Sequence, residues 1–123
     1  MRLTRIHQVA AHLEDVDKTV AFYKDTLGAR FISTFDPPGL VFFDFNGTRI
    51  MLERNVAKAT IYFRVDDIER AHAELSEAGV VFTDEPHLIH TDVEGVFDNP
   101  GTSEWMSFFS DPSGNTLAIA SRR

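Results

Sequence analysis

Apolar residues recur along this chain with two periods, two and about 3.6, and the switches between them mark its elements. Ile6, Val9, Ala11 and Leu13 predict a strand with one buried face over residues 6–13. Asp15 then stands where a side-chain oxygen caps a helix start, and Asp17 suits the positive end of the helix dipole. Val16, Val20, Tyr23 and Leu27 follow at helical spacing, and Gly28 supplies the stop. Residues 30–35 read as a strand, ended by Pro37-Pro38-Gly39. Residues 40–45 and 48–53 read as two more strands, joined at Asn46-Gly47, a pair that favours tight hairpin turns.

The second half repeats this order. Residues 60–65 alternate, Asp67 caps, and Ile68, Ala71, Leu75 and Ala78 form a helical stripe that stops at Gly79. Strands are expected at 80–82 and 88–90, a loop at 92–103, and a strand at 105–109. Asp111-Pro112-Ser113-Gly114 then turns the chain into a last strand at 115–120. A displacement of 52 residues carries Asp15 onto Asp67, and with it Leu13 onto Val65 and Val16 onto Ile68. A displacement of 67 carries Gly47 onto Gly114. Two copies of one βαβββ unit imply duplication within a domain, since solenoids need shorter periods and more copies. The expectation is an α+β fold of eight or nine strands and two helices. Repeats at about 4–54 and 58–121 make up one domain, 1–123, with a pseudo-two-fold axis.

These patterns resemble the vicinal oxygen chelate superfamily, the glyoxalase, bleomycin-resistance and extradiol dioxygenase proteins. The resemblance rests on Leu13-Glu14-Asp15-Val16-Asp17, Phe22-Tyr23 and Leu27-Gly28. Their second-half counterparts are Phe63-Arg64-Val65-Asp66-Asp67-Ile68 and Ala78-Gly79-Val80, and Phe108 to Asn115 is similar to the closing hairpin. It implies two repeats forming an open, cup-shaped mixed sheet around a small molecule.

Enzymes of that superfamily hold a divalent metal in the cup, one ligand from each of four strands, and use it as a Lewis acid. Carried over one position at a time, the resemblance places those ligands at Gln8, Met51, Thr60 and Ala118. Gln8 alone is a competent donor; Met51 and Ala118 offer nothing to a hard cation. Glu53, two residues past Met51, shares its face and becomes the second ligand if the register slips. No metal and no other cofactor is therefore expected, and the four positions should meet on the inner wall of the cup.

Strand parity adds further candidates. His12 shares a face with Gln8 and titrates near neutrality, so it could bind ligand or relay a proton. Tyr62 and Arg64 follow Thr60 on one face, where Arg64 suits a carboxylate or phosphate. Trp105 and Phe109 share one face, Met106 and Phe108 the other; one pair should line the cup, and aromatic walls suit planar ligands. The expected ligand-binding set is Gln8, His12, Met51, Glu53, Thr60, Tyr62, Arg64, Trp105 and Ala118. His72 sits at helical spacing with Ile68 and Leu75 and reads as structural. His87 and His90, three apart, converge only on a bent edge. Neither a nucleophile elbow nor a phosphate-binding glycine loop is present.

Composition narrows the function classes. With 123 residues, 43% of them hydrophobic, one core can be filled. The formal charge is −7 with basic residues scattered, which argues against nucleic acid and anionic membranes. Cysteine is absent, which removes disulfides and thiolate chemistry. No segment approaches the roughly 18 apolar residues of a membrane span, and residues 1–15 lack the apolar core of a signal peptide. A cytoplasmic small-molecule binder without metal, assembled as a homodimer, is the leading expectation. A lyase, isomerase or epimerase acting through a metal or through Glu53 and His12 is the rival, and a regulatory or interaction module the third reading.

Overall fold

The computed structural model describes residues 1–123. Eight strands and two helices follow in the order β1 (Gln8–His12), α1 (Val16–Val20), β2 (Arg30–Phe35), β3 (Leu40–Phe45), β4 (Thr48–Glu53), β5 (Thr60–Arg64), α2 (Ile68–Glu77), β6 (His87–Asp92), β7 (Thr102–Ser110) and β8 (Thr116–Arg122). A π-helical stretch, Ala21–Thr26, continues α1. The strands form two four-stranded mixed sheets, β1-β4-β3-β2 and β5-β8-β7-β6. In each, the first strand of a repeat pairs parallel to the last, and the others are antiparallel. No helix is long and apolar enough to cross a membrane.

Contacts divide the chain into two compact units. One comprises residues 1–59 and 111–115; the other comprises 60–110 and 116–123. In the first, α1 and the π-helical stretch cover one sheet face. Ala11, Val41, Phe43, Ile50 and Leu52 are buried there, and the Tyr23 ring lies 5.2 Å from Phe43. Asp15 caps the helix by accepting from the Lys18 N–H at 2.9 Å. Asn46 and Gly47 both have positive φ, 52° and 99°, as the β3–β4 hairpin requires.

In the second unit α2 starts at Asp67, whose side chain accepts from the Arg70 N–H at 3.1 Å. Ile68, Phe109, Leu117 and Ile119 are buried on the helix side of this sheet. His72 belongs to that packing, stacked on Phe82 with centroids 4.2 Å apart. The strand expected at 80–82 is not formed. Only Phe82 bridges to Phe109, because Val81 between its neighbours points out and is 84% exposed. β7 starts at Thr102, earlier than the apolar run suggests, since the Ser103 and Arg123 backbones exchange two hydrogen bonds.

Buried polar side chains concentrate in the turn 111–115, which belongs to the first unit although β7 and β8 flank it. Asn115 Oδ1 accepts from the backbone N–H of His12 (3.1 Å) and of Ala59 (2.9 Å), and its Nδ2 donates to the His12 carbonyl (2.8 Å). Asp111 accepts from Asn115 Nδ2 (2.8 Å) and from the Tyr23 hydroxyl (2.5 Å). Burial, then the charge of Asp111 and this hydrogen bond, push the Tyr23 hydroxyl far above its ordinary pKa, so it stays a donor. Ser113 Oγ accepts from the Glu14 N–H at 2.9 Å and meets Thr19 Oγ1 at 3.1 Å.

Asn115→Ala leaves two backbone N–H groups and one carbonyl without partners in a partly buried site. At roughly 1–3 kcal/mol for each unpaired buried group, a loss of about 3–5 kcal/mol is expected in urea unfolding. Tyr23→Phe leaves Asp111 with its Asn115 partner and should cost only about 1–2 kcal/mol. Equal losses, or an Asn115→Ala effect near zero, would contradict the network's role.

Candidate functional site

Each sheet has a second face, turned away from its helix, and period-two alternation assigns the residues on it. In the first sheet the register sets three rows across the strands. Gln8, Arg49, Asp44 and Arg30 form one, Ala10, Met51, Phe42 and Ser33 the next, and His12, Glu53, Leu40 and Phe35 the third. Gln8, His12, Met51 and Glu53 thus share a face, as parity predicts.

Sequence reasoning missed Arg49, which organises this face. Its Nε donates to Gln8 Oε1 at 2.7 Å, and its guanidinium carbon lies 5.3 Å from the centre of the Phe42 ring. The Gln8 amide nitrogen is 3.7 Å from the Met51 sulfur. The same parity as Met51 was the available signal.

These contacts test whether the inherited positions suit a divalent metal. In the first sheet the donors are a thioether and a carboxamide oxygen that already accepts from a cation. Glu53, the alternative, is turned to Asn55, accepting from its backbone N–H and its Nδ2, both at 3.1 Å. In the second sheet Thr60 offers one hydroxyl, and Ala118 offers nothing. No three His, Cys, Asp or Glu side chains group closely enough to hold an ion. The residues present do not fit the metal of the family's enzymes.

His12 and Glu53 face each other in the register, yet their polar atoms turn elsewhere. His12 Nε2 lies 3.0 Å from Glu14 Oε1, and Nδ1 lies 2.9 Å from the Val56 carbonyl. Both partners only accept, so the imidazolium satisfies both. The Glu14 hydrogen bond, and next the Val56 carbonyl, raise the His12 pKa above its ordinary value.

In the second sheet Thr60, Tyr62 and Arg64 lie on the face away from α2. Their register partners on β8 are Thr116, Ala118 and Ala120, and beyond those lie Ser110, Phe108 and Met106 on β7. Ala118 is buried between its partners Tyr62 and Phe108, whose rings meet edge to face at 6.1 Å. Trp105 requires a correction. It pairs with Ser121, on the side where Phe109 is buried, so Met106 and Phe108 are the aromatic-strand residues beside Tyr62 and Ala118. The Trp105 ring carries the Arg123 guanidinium, 4.2 Å from its centre.

The edge strand β6 adds a group that spacing left open. His87 Nδ1 lies 3.1 Å from Asp84 Oδ2 and 3.1 Å from the Glu85 carbonyl. Asp84 is itself held by the Phe108 N–H at 3.1 Å. The His87 and His90 register partners are Met106 and Glu104, both on the face away from α2. At the end of β6, the buried Asp92 carboxylate gathers the loop at 93–101. Burial pushes its pKa up, but the N–H groups of Phe97, Val96, Asn99 and Gly95 outweigh this and hold it below the usual carboxylate range.

The His12 arrangement sets a pH dependence. A pKa raised by folding contributes stability that is complete below the unfolded value, about 6.5, and fades as pH rises through the folded value. The His12 ring should therefore titrate above 6.5 in NMR, and Glu14→Gln should lower its midpoint. The destabilisation caused by Glu14→Gln should shrink between pH 5.5 and pH 8.5. A midpoint indifferent to Glu14 would contradict the assignment.

Comparison with known proteins bears on the fold and the family. An uncharacterized protein of Bacillus subtilis, YraH, is 25% identical, covering 94% of this chain and 96% of its own. Among solved structures, the lactoylglutathione lyase of Agrobacterium tumefaciens has a TM-score of 0.74 at 18% identity, over 98% of this chain and 95% of that one. TnmS3, an antibiotic binding protein of Streptomyces sp. CB03234, has a TM-score of 0.75 at 20% identity, over 100% and 99%. The family model of the Glyoxalase/Bleomycin resistance protein/Dioxygenase superfamily matches residues 5–119. With both sheets built as the resemblance implies and nearly the whole chain matched, this protein belongs to that superfamily.

Proposed function

We propose that this chain binds a small organic molecule and does so without the divalent metal of its enzyme relatives. The observation that carries this reading is the Arg49–Gln8 contact at 2.7 Å. A guanidinium sits on the Gln8 carboxamide oxygen, so the position offers a ligand a hydrogen-bonding cation instead of a Lewis acid. Phe42 beneath Arg49 in the first unit, and separately the Tyr62 and Phe108 rings in the second, are apolar surface of the kind planar ligands use. Likeness in fold to the antibiotic-binding TnmS3 is compatible with this reading. The engagement of His12 with Glu14, and of Glu53 with Asn55, weighs against an acid–base pair built from those two residues. Binding in the cytoplasm by a two-fold homodimer completes the proposal, since β1, β2, β5 and β6 stand at the ends of their own sheets and edge strands invite pairing or cover.

Elemental analysis of untagged protein, run beside native mass spectrometry, tests it. Substoichiometric metal and a bound organic species released on denaturation are expected. One equivalent of Zn, Ni, Co, Mn or Fe, lost on Gln8→Ala or Glu53→Ala, would refute it.

A further inference from the structure

The second sheet carries a set of groups that neither the inherited metal positions nor the first sheet explains. Arg64, Glu104, Ala120 and Arg122, all on the face away from α2, line a depression of about 90 Å³ together with Ser121, which lies between Ala120 and Arg122 along β8. Arg122 is fixed there, its Nη1 donating to the Phe97 carbonyl at 3.0 Å and its guanidinium 5.8 Å from the Phe97 ring centre. Phe97 is in turn placed by its N–H on Asp92, at 2.9 Å. Arg64 is exposed and makes no hydrogen bond or ion pair with its side chain. Two guanidiniums against one carboxylate leave a single net positive charge. That balance suits one carboxylate better than a doubly charged phosphate.

The register then fixes what lies across the sheet from this depression. Arg64, Ala120, Met106 and His87 are successive partners on β5, β8, β7 and β6. Three interstrand intervals of about 4.8 Å put Arg64 and His87 roughly 14 Å apart at the backbone. Between them the floor is a small side chain and a thioether, flanked by the Tyr62 and Phe108 rings. Asp84 Oδ2 and the Glu85 carbonyl can only accept at His87 Nδ1, which puts a proton on that nitrogen and leaves Nε2 to meet a ligand.

We propose that this face binds an elongated, planar organic monoanion, its carboxylate held by Arg64 and Arg122 and a hydroxyl at its far end hydrogen-bonded to His87 Nε2. The proposal rests on the small-molecule reading above and adds the ligand's chemical class and its orientation.

The probe is 6-hydroxy-2-naphthoate, which has a carboxylate and a hydroxyl at opposite ends of a fused ring and fluoresces. Its comparators are 2-naphthoate, without the hydroxyl, and 6-hydroxy-2-naphthamide, without the charge. Fluorescence titration of the full chain should show the hydroxynaphthoate binding about tenfold or more tightly than the amide, the scale of a charge-assisted pair. Arg64→Ala should erase that preference while keeping the preference for the hydroxyl. His87→Ala should do the reverse. Both side chains lie at the surface, and urea midpoints close to the parent's confirm that the variants fold. In the unaltered protein, NMR signals of the Arg64 and Arg122 Nε–H groups and of the His87 ring should shift on adding the probe. Equal affinity for acid and amide, no binding of either, or shifts confined to other residues would overturn the proposal. The broader reading survives that result if a different organic species is found bound to metal-poor protein, and falls with it only if stoichiometric metal is found.

Discussion

The side chain of Asn115 is the constraint on which the first unit depends. It is fully buried and uses both its oxygen and its nitrogen on backbone that has no other partner, at His12 and Ala59. Only a residue with an acceptor and a donor at one carbon can close this arrangement. Asp111 holds Asn115 from behind, Tyr23 holds Asp111, and Tyr23 packs on Phe43 at the centre of the apolar layer. A chain of buried polar contacts thereby fixes the end of β1, and with it the register of Gln8 and His12 against β4. Such networks are costly when broken and specific when complete.

Once that register is set, the far face of the first sheet follows from alternation. Arg49 falls opposite Gln8, close enough for a 2.7 Å hydrogen bond, and Phe42 falls one strand away to carry the guanidinium. In the second sheet the same logic brings Tyr62, Ala118 and Phe108 into one row and Arg64, Ala120, Met106 and His87 into the next. The superfamily's fold is retained, while Met51 and Ala118, at two of the four positions that the resemblance assigns to a metal, offer nothing to a hard cation.

The elements with local punctuation were legible in the sequence. Asp15 and Asp67 cap the helices as read, and Asn46-Gly47 makes the hairpin turn, because caps and tight turns are decided within a few residues. The π-helical stretch at Ala21–Thr26 was not, since one widened turn leaves an apolar stripe almost unchanged. The strand expected at 80–82 fails because a short apolar run does not say whether a partner edge is within reach. For the site, parity sorted Gln8, His12, Met51 and Glu53 onto one face, and Thr60, Tyr62, Arg64 and Ala118 onto another. Parity alone could not choose between Trp105 and Met106, since either face of an aromatic-rich strand can be the buried one. Arg49 and the Asp84–His87 pair escaped notice because they depend on cross-strand register and on a bend at Thr83 and Asp84.

The central claim is that a guanidinium has taken the place of a metal at Gln8. Paramagnetic Mn²⁺ or Co²⁺ reports on this directly, because either ion broadens or shifts the NMR signals of any side chain that ligates it. Titrating the unaltered protein while observing the Gln8 side-chain amide and the Arg49 Nε–H should leave both signals no more affected than exposed surface groups. Selective broadening or shifting of the Gln8 amide at stoichiometric ion would contradict the claim.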